Sequence, residues 1–292
     1  MSAAEPPQGA NSAPTGGSEA AKPRAWGDHS SLLVKARREG RDIVEVTPRS
    51  AGWRYVGFSA HRLRNGESMA IDRAQSEVCV VVLGGSVDVR ASGATWTGLG
   101  SRRDVFDDEA PFAVYLPQGR DVQIRAHGAT GIAVATAPGP GNAKARVIEP
   151  SQMKRFSRGK GLNERFVCDI LPQTEPASHL LVVEVRTPSG HSSSYPPHKH
   201  DTDDLPRESS LEEIYYHRLA PAQGFAFQRV YTDDRSLDES IAVEDHDVVL
   251  VPRGYHPVVV PYGYESYYLN VMAGPRREWH FHNDPAHEWM LE

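Results

Sequence analysis

The chain has 292 residues, of which 39% are hydrophobic and 24% charged, and its formal net charge is −6. This composition is typical of a globular protein with one large or two ordinary domains, and it argues against a coiled coil. The negative charge argues against a basic nucleic-acid-binding module, and no apolar stretch is long enough to span a bilayer. The 22 prolines and 25 glycines favour many short strands joined by turns.

The beginning of the chain is rich in Ala, Pro, Gly and Ser and lacks the apolar segment of a secretory signal. We predict a disordered tail over residues 1–27. The two cysteines, Cys79 and Cys168, have no CxxC spacing. We interpret them as buried thiols in a reducing compartment and therefore expect a cytoplasmic location.

Runs of β-branched residues follow from about Trp26. The first clear pair of strands is Glu77–Arg90, where Gly84-Gly85 has the character of a hairpin turn. Further strands are predicted at Ala113–Leu116, Val122–Arg125, Gly131–Ala137, His179–Arg186, Glu212–Arg218, Gly224–Asp233, Asp247–Val251 and Tyr267–Met272. No long run shows the helical period of apolar residues, so the pattern predicts an all-β sandwich or barrel.

A weak internal repeat connects the two halves of the chain. An apolar strand that ends in Pro-x-Gly occurs twice, at Pro117 and at Pro252. The pair of strands after Glu77 also resembles the pair after Glu213. Two copies of one barrel in tandem would account for the length of the chain.

The candidate boundary between these copies is the Pro- and Gly-rich segment Pro138–Asn142. We therefore predict three parts: the tail over 1–27, an N-terminal barrel over 28–142, and a C-terminal barrel with a C-terminal tail over 143–292.

The strongest chemical signal is the segment YPPHKHD at 195–201. His198 and His200 are two residues apart, so on an extended segment both imidazoles project to the same face. Glu213 opens a strand downstream, and His256 follows the second Pro-x-Gly turn. Two histidines, a glutamate and a distant histidine is the ligand order of a mononuclear cupin site. Such a set suits Zn²⁺, Mn²⁺ or Fe²⁺ and leaves coordination positions for a substrate.

The carboxylate ligand has a competitor in Glu212. Neighbouring residues of a strand point to opposite faces, so only one of Glu212 and Glu213 can bind the ion. We choose Glu213 because it shares its face with Tyr215.

The first half of the chain lacks this set of ligands. No HxH pair precedes Glu77, where His61 is alone, and Asp121 stands at the position that matches His256. We therefore predict that the N-terminal barrel holds no metal.

A second HxH pair, His280 and His282, lies near the C-terminus between Trp279 and Trp289. We interpret this segment as a tail whose aromatic side chains dock on the barrel or on a neighbouring subunit. The alternative is a lid that brings His282 near the substrate.

The chain resembles the 5-deoxy-glucuronate isomerases of bacterial myo-inositol catabolism in the segments SSYPPHKHD, LEEIYYHR, GFAFQRVYTDDRSLDE, DVVLVPRGYHPV, YYLNVMAGP and HNDPAHEW. A weaker likeness extends to the first half through DVFDDEAPFAVYLPQG. The related uronate ketol-isomerases of pectin breakdown share the ligand order. The resemblance implies a bicupin, that is, two tandem antiparallel β-sandwich or jelly-roll barrels, with one metal site at His198, His200, Glu213 and His256.

The gap before the glutamate is longer than in the generic cupin pattern. The polar insertion Asp201–Glu212 makes Glu208, Glu212 and Glu213 harder to rank as ligands.

The resemblance also implies the conversion of 5-deoxy-D-glucuronate to 5-dehydro-2-deoxy-D-gluconate, an aldose–ketose isomerisation. We expect one divalent metal ion, Zn²⁺ first and Mn²⁺ or Fe²⁺ as alternatives, and either an enediolate route or a hydride shift. We expect a homo-oligomer that acts on a small sugar acid and binds neither nucleic acid nor membrane. Two other hypotheses are a different cupin metalloenzyme, such as a dioxygenase or a uronate ketol-isomerase, and a non-enzymatic sugar-binding cupin.

The carboxylate of such a substrate needs a cation, and arginine suits bidentate binding. Arg253 precedes the last predicted ligand by three residues and is our candidate, with Arg229 and Arg235 as alternatives. Gln228, a polar residue in an apolar strand, is expected to bind substrate. Tyr268, on the strand after the last ligand, is expected to act as an acid or hydrogen-bond donor.

Overall fold

The computed structural model describes residues 30–72, 74–91, 93–119, 122–139 and 143–291. The predicted tail over 1–27 and Asp121 lie outside these ranges. The strands of the first half are β1 (Leu33–Val34), β2 (Asp42–Val46), β3 (Gly57–Leu63), β4 (Ser68–Ile71), β5 (Ser76–Ala91), β6 (Ala94–Leu99), β7 (Ala113–Leu116) and β8 (Val122–Pro138).

The strands of the second half begin directly after the predicted boundary. They are β9 (Arg146–Ile148), β10 (Lys154–Arg158), β11 (Arg165–Leu171), β12 (Leu181–Thr187), β13 (Ser192–Ser193), β14 (His198–Lys199), β15 (Asp201–Asp204), β16 (Glu208–Ser210), β17 (Glu212–Ala220), β18 (Phe225–Tyr231), β19 (Asp238–Glu244), β20 (Val248–Val251), β21 (Val258–Val259), β22 (Glu265–Ala273) and β23 (His282–Asn283).

Helices are short throughout the described ranges. They are α1 (Pro48–Ala51) and 3₁₀ turns at Pro150–Gln152, Gly161–Asn163 and Pro285–Leu291. None of the described helices has the length and hydropathy needed to cross a membrane. The prediction of an all-β protein is confirmed.

The second half closes into a barrel from two antiparallel sheets. One has the strand order β1-β20-β17-β22-β12-β11-β10 and the other the order β13-β21-β18-β19. Side chains from both sheets meet in one apolar core, which includes Val183, Tyr215, Val230 and Tyr268. Alternation along each strand sends every second residue into this interior, where the candidate ligands also lie.

The first half forms a barrel around the long strands β5 and β8. Its sheet has the order β2-β3-β8-β5-β7-β9, with β4 added to β8 and β6 added to β5. The register of β5 on β8 shifts on both sides of Gly84, which lets the strands bend as the barrel closes. Its interior is aliphatic and includes Val78, Val80 and Val134.

The two halves exchange their first strands. In the first half of the chain, β1 pairs with β20 of the second barrel, whereas β9 of the second half pairs with β7 of the first barrel. The predicted boundary at 142/143 therefore separates most strands of the two barrels but not these two. Each half completes the sheet of the other, so we expect neither half to fold alone as a closed barrel.

A third apolar core lies between the barrels. Phe58 of the first half and Tyr216 of the second pack there with ring centroids 5.3 Å apart. Arg102 and Glu184 form a buried ion pair across the same interface, with 2.8 Å between Nη2 and Oε2. Because a buried charge is tolerated only when it is paired, this contact also fixes how the halves meet.

The repeat aligns with a constant offset of 135 residues. Cys79 pairs with Tyr115 on the neighbouring strand, and Ile214 pairs with Leu250 in the same way. This offset also relates Pro117 to Pro252, but it places Glu77 opposite Glu212. The sequence alignment of Glu77 with Glu213 was therefore wrong by one residue.

Glu77 and Glu212 make equivalent hydrogen bonds in the two halves. The Glu77 carboxylate accepts the backbone N–H groups of Ser178, His179 and Leu180 at 2.6–2.8 Å. The Glu212 carboxylate accepts those of Arg54, Tyr55 and Val56 at 2.8–2.9 Å. Each glutamate thus ties its own barrel to a backbone segment of the other.

The position that matches Glu213 in the first barrel is Val78, which is fully buried in the aliphatic interior. An aliphatic side chain offers no donor atom to a metal. The alignment of Glu213 with Val78 therefore supports the expectation that the first barrel holds no metal. The absence of a metal there stays a prediction.

Candidate metal centre

The HxH segment is held in an extended conformation at the mouth of the second barrel. His198 begins β14, which pairs with the C-terminal strand β23, and His200 follows directly. The rings of His198 and His200 lie on one side with centroids 6.3 Å apart. Lys199, between them, points away and binds Glu208 and Asp201 at 2.9–3.0 Å. The extended geometry thus brings both imidazoles to one face, as the spacing predicts.

His256 reaches the same place through a tight turn. Gly254 has a φ of 87°, and a Cβ at this position would lie 2.4 Å from the carbonyl oxygen of Tyr231. Only glycine fits such a conformation and such a close approach without strain. The turn directs His256 into the barrel, where it is fully buried and its Nδ1 lies 2.8 Å from the carbonyl oxygen of Gly254.

Glu213 projects from β17 into the space between these histidines. Its Oε2 lies 2.9 Å from Nε2 of His200 and 3.2 Å from Nε2 of His256. One donor nitrogen from each of His198, His200 and His256 lies within 4.8 Å of the others. Glu213 and His200 are 2–3% exposed, so the carboxylate is held away from water.

The protonation of the two buried rings makes this arrangement fit a cation. Nδ1 of His200 and of His256 each faces a backbone carbonyl, at 3.3 and 2.8 Å, so in the neutral form of each ring the hydrogen belongs on Nδ1. A neutral ring then presents the lone pair of Nε2 to the Glu213 carboxylate, which is repulsive unless a positive charge lies between them. Nε2 of His256 has no hydrogen-bond partner among the described residues. A second nitrogen held by a carbonyl is typical of metal-binding histidines.

At His256 and His198, burial favours the neutral form that a ligand requires. It lowers the pKa of His256 to about 4, and it lowers the pKa of His198 as well, with the two neighbouring histidines adding to the effect. Burial also opposes the charged form of His200, but the hydrogen bond and the charge of Glu213 outweigh it and raise this pKa. Three imidazoles and one carboxylate are a donor set that suits a divalent transition-metal ion.

The three glutamates that the sequence could not rank have different partners in the structure. Glu213 contacts the histidines, and Glu212 binds the backbone of the first barrel. Glu208 accepts Lys199 and the backbone N–H groups of Asp201 and Thr202. Glu208 therefore holds the insertion in shape, and Glu213 is the carboxylate that faces the three histidines.

Two tyrosines lie below the histidines in the barrel interior. The ring of Tyr215 is 5.7 Å from that of His256 and 4.8 Å from that of Tyr268. Ser194 Oγ lies 3.0 Å from the Tyr215 hydroxyl and 3.4 Å from the Tyr268 hydroxyl. The ring of Tyr215 thus stands between Tyr268 and the candidate ligand His256, and the two tyrosines share one face of the sheet.

Gln228 is fully buried near the same tyrosines. Its Oε1 lies 2.9 Å from Nε2 of His217, and its Nε2 donates to the carbonyl oxygen of His256 at 3.4 Å. Burial lowers the pKa of His217 to about 4. Gln228 is therefore in contact with the backbone of a candidate ligand, and its predicted role toward substrate stays a prediction.

The predicted arginines are not brought to the histidines. Arg253 is exposed and donates to Ser236 Oγ at 3.3 Å. Arg229 pairs with Asp238 at 2.7 Å, and Arg235 stacks over the ring of Tyr231. Their predicted role in carboxylate binding has no support from this geometry, because none of them lines the cavity that contains His198.

The C-terminal segment lies across the HxH strand. His282 pairs with Lys199 in the β14–β23 ladder, and Phe281 packs on His198 with ring centroids 4.8 Å apart. Trp279 contacts the core of the second barrel. The tail is thus docked on its own barrel, and Phe281, rather than His282, faces the cavity beside the candidate centre.

Sequence reasoning missed Arg165, which begins β11 and lines the same cavity as His198. The available signal was an arginine at the start of the apolar run FVCDIL.

Comparisons with known proteins agree with this description. A model of the KduI/IolB family matches residues 32–290. The 5-deoxy-glucuronate isomerase of Geobacillus kaustophilus (strain HTA426) is 51% identical over 265 residues, which cover 90% of this chain and 96% of that protein. The protein of the same name from Bacillus subtilis (strain 168) is 48% identical, with 86% and 93% covered.

Two solved structures extend the comparison to the fold. The crystal structure of an IolB-like protein from Salmonella typhimurium LT2 has a TM-score of 0.89 at 45% identity and covers 90% of this chain and 100% of that chain. A variant of Bacillus subtilis oxalate decarboxylase has a TM-score of 0.59 at 13% identity, with 88% and 80% covered. The predicted bicupin fold is confirmed, and the chain belongs to the KduI/IolB family.

Proposed function

We propose that this chain is a metal-dependent aldose–ketose isomerase that converts 5-deoxy-D-glucuronate to 5-dehydro-2-deoxy-D-gluconate in inositol catabolism. The observation that carries the proposal is the buried meeting point of His198, His200, Glu213 and His256, in a chain about 50% identical to proteins named 5-deoxy-glucuronate isomerase. The family alone would not assign these residues, and the geometry alone would not name the sugar.

The four residues would hold one divalent ion, which we propose to be Zn²⁺, with Mn²⁺ or Fe²⁺ as alternatives. Bound there, the ion would act as a Lewis acid that polarises the substrate carbonyl and its neighbouring hydroxyl. His198 is partly exposed, so it stands on the side from which a substrate enters, whereas His200 and His256 are buried behind it.

The chain itself supplies hydrogen-bond donors below the ligands. Burial raises the pKa of Tyr268, so its hydroxyl keeps its proton at neutral pH. We propose that Tyr268 donates to a substrate oxygen and that Ser194, which contacts the hydroxyls of both Tyr215 and Tyr268, positions it. Gln228 is proposed to act at the same site, through its contact with the His256 carbonyl.

Metal removal gives the most direct test of this function. After chelation and dialysis, we expect conversion of 5-deoxy-glucuronate to fall at least about 100-fold, because the polarising charge is lost. Readdition of Zn²⁺, Mn²⁺ or Fe²⁺ in separate samples should restore it with one of them. The product is followed by NMR. Conversion that is insensitive to chelation, or no conversion with any metal, would contradict the proposal and favour another cupin activity.

We further propose that the protein is a cytoplasmic homo-oligomer. The thiols of Cys79 and Cys168 are buried and unpaired, which suits a reducing compartment. The outer face of the β18–β21 sheet exposes Phe225, Phe227 and Val259, with Phe227 paired to Val259 across the strands. Adjacent exposed apolar side chains are typical of a surface that packs against another copy.

Replacing Phe227 by Ser should lower the mass of the assembly measured by light scattering, because the apolar surface available for contact shrinks. Tyr262→Ser is the matched control, since Tyr262 is 93% exposed and lies outside the three-residue apolar face. A wild-type protein that is monomeric at every concentration would overturn the prediction.

A further inference from the structure

Arg165 is a buried cation without an acidic partner among the described residues. The residue is 9% exposed, and its Nη1 donates to the carbonyl oxygen of Asn163 at 3.1 Å. The buried Arg102 differs, because it forms a two-bond ion pair with Glu184 at 2.8–2.9 Å. A guanidinium removed from water normally requires a carboxylate or phosphate to offset its lost hydration. Arg165 therefore has the capacity to take an anion that the described chain does not provide.

The cavity beside Arg165 suits such an anion. It has a volume of about 420 Å³, and the residues that line it include Arg158, Lys160, Arg165, His198 and Phe281. No acidic side chain is among the described residues that line it. Positive charges that are grouped in a concave, partly dry site attract a negatively charged ligand.

The loop before Arg165 is shaped around its guanidinium. Gly159 has a φ of 78°, and a Cβ at this position would lie 2.8 Å from Nη1 of Arg165 and 2.2 Å from the carbonyl oxygen of Asn163. The backbone thus approaches the guanidinium more closely than any residue with a side chain could. The hydrogen bond from Nη1 to the carbonyl oxygen of Asn163 positions the guanidinium and leaves its other donors available.

We propose that Arg165 binds the carboxylate of the sugar-acid substrate and thereby determines which carbons face the histidines. The inference rests on the proposed function and adds the residue that recognises the acid group. Arg165 and His198 line one cavity, so a short acyclic sugar acid can place its carboxylate at the guanidinium and its carbonyl end near the ligands. Arginine suits this role because its planar fork forms two charge-assisted hydrogen bonds to a carboxylate.

The test measures binding separately from turnover. Calorimetry on the metal-loaded protein compares D-glucuronate with its uncharged amide, D-glucuronamide. We expect wild type to bind the acid about 10- to 100-fold more tightly than the amide, the effect of hydrogen bonds to a charged group. Arg165→Gln should bind both equally weakly, and Arg165→Lys should recover part of the difference. Arg253→Gln is the matched control and should behave like wild type, because Arg253 lies outside the cavity.

Each outcome decides between the two proposals. Equal binding of acid and amide by wild type, which requires no variant, overturns the role of Arg165. Arg165→Gln with unchanged preference for the acid, unchanged metal content and unchanged melting temperature overturns it too. If the preference depends on Arg165 but 5-deoxy-glucuronate is not isomerised, the carboxylate site stands and the proposed reaction fails. With 5-deoxy-glucuronate as substrate, Arg165→Gln should raise KM about 10-fold or more and change kcat less.

Discussion

The variant His256→Ala should lose its metal and at least about 100-fold of its isomerase activity while remaining folded. Removing a residue that merely orients a ligand costs about 10- to 100-fold in metal affinity, so removing a ligand itself should cost more. Nε2 of His256 is buried and has no hydrogen-bond partner among the described residues. Loss of its ring leaves Glu213 with His200 alone in direct contact. Metal content after dialysis is measured by mass spectrometry, and folding by circular dichroism.

A matched control is available in His282, which belongs to the second HxH pair and lies on the strand next to Lys199. His282→Ala should keep both metal and activity, because its strand pairing uses the backbone. His198→Ala should resemble His256→Ala, with a smaller effect on folding, since His198 is partly exposed. Full metal occupancy and normal turnover in His256→Ala would refute the assignment of the centre. Loss of activity in His282→Ala at normal metal content would revive the idea of a lid.

The parts of the fold that depend on local pattern could be predicted from the sequence. Apolar runs such as His179–Arg186 and the two Pro-x-Gly turns indicated tandem barrels, and the structure has a strand at Leu181–Thr187. The predicted hairpin turn at Gly84-Gly85 is wrong, because β5 continues through both glycines as one strand. The pairing of β1 with β20 could not be predicted, because strands more than 200 residues apart leave no local signal. The pairing of β9 with β7 is closer in sequence but crosses the predicted boundary between the barrels. A local signal is also lacking for the glutamate that matches Glu77 in the second half. Glu212 and Glu213 are adjacent and identical, so only their partners distinguish them.

The proposed metal ligands and the proposed carboxylate-binding arginine differ in the signals that they leave in the sequence. Histidines at i and i+2 carry their geometry in their spacing, and Gly254 marks the turn that directs His256 inward. Arg253 was chosen because it is near His256 in sequence, but a turn separates neighbours in space and leaves Arg253 exposed. Arg165 is 91 residues before His256 and reaches the cavity through the order of sheet strands. Proximity in sequence is a poor guide where the barrel brings distant strands together.

Substitutions of the two adjacent glutamates, Glu212 and Glu213, should separate the effect on metal binding from the effect on folding. Glu213→Gln should lose metal and at least about 100-fold of activity, because a neutral amide replaces the charged ligand. The metal-free variant should be as stable as metal-free wild type or more so, since a buried carboxylate without its cation is costly. In the structure the Glu213 carboxylate contacts His200 and His256, not the backbone groups that hold Glu212.

Glu212→Gln should have the opposite effects. Its carboxylate accepts three backbone N–H groups of the first barrel, and glutamine offers one acceptor oxygen and an NH₂ group that faces donors. We expect the free energy of unfolding to fall by about 1–3 kcal/mol, with metal content unchanged. Glu77→Gln is the matched variant in the other half, and its full burial should make the loss larger. Urea denaturation of the metal-free proteins and metal analysis after dialysis measure the two effects separately. Equal metal contents in Glu212→Gln and Glu213→Gln would contradict the assignment of Glu213 as the one carboxylate ligand.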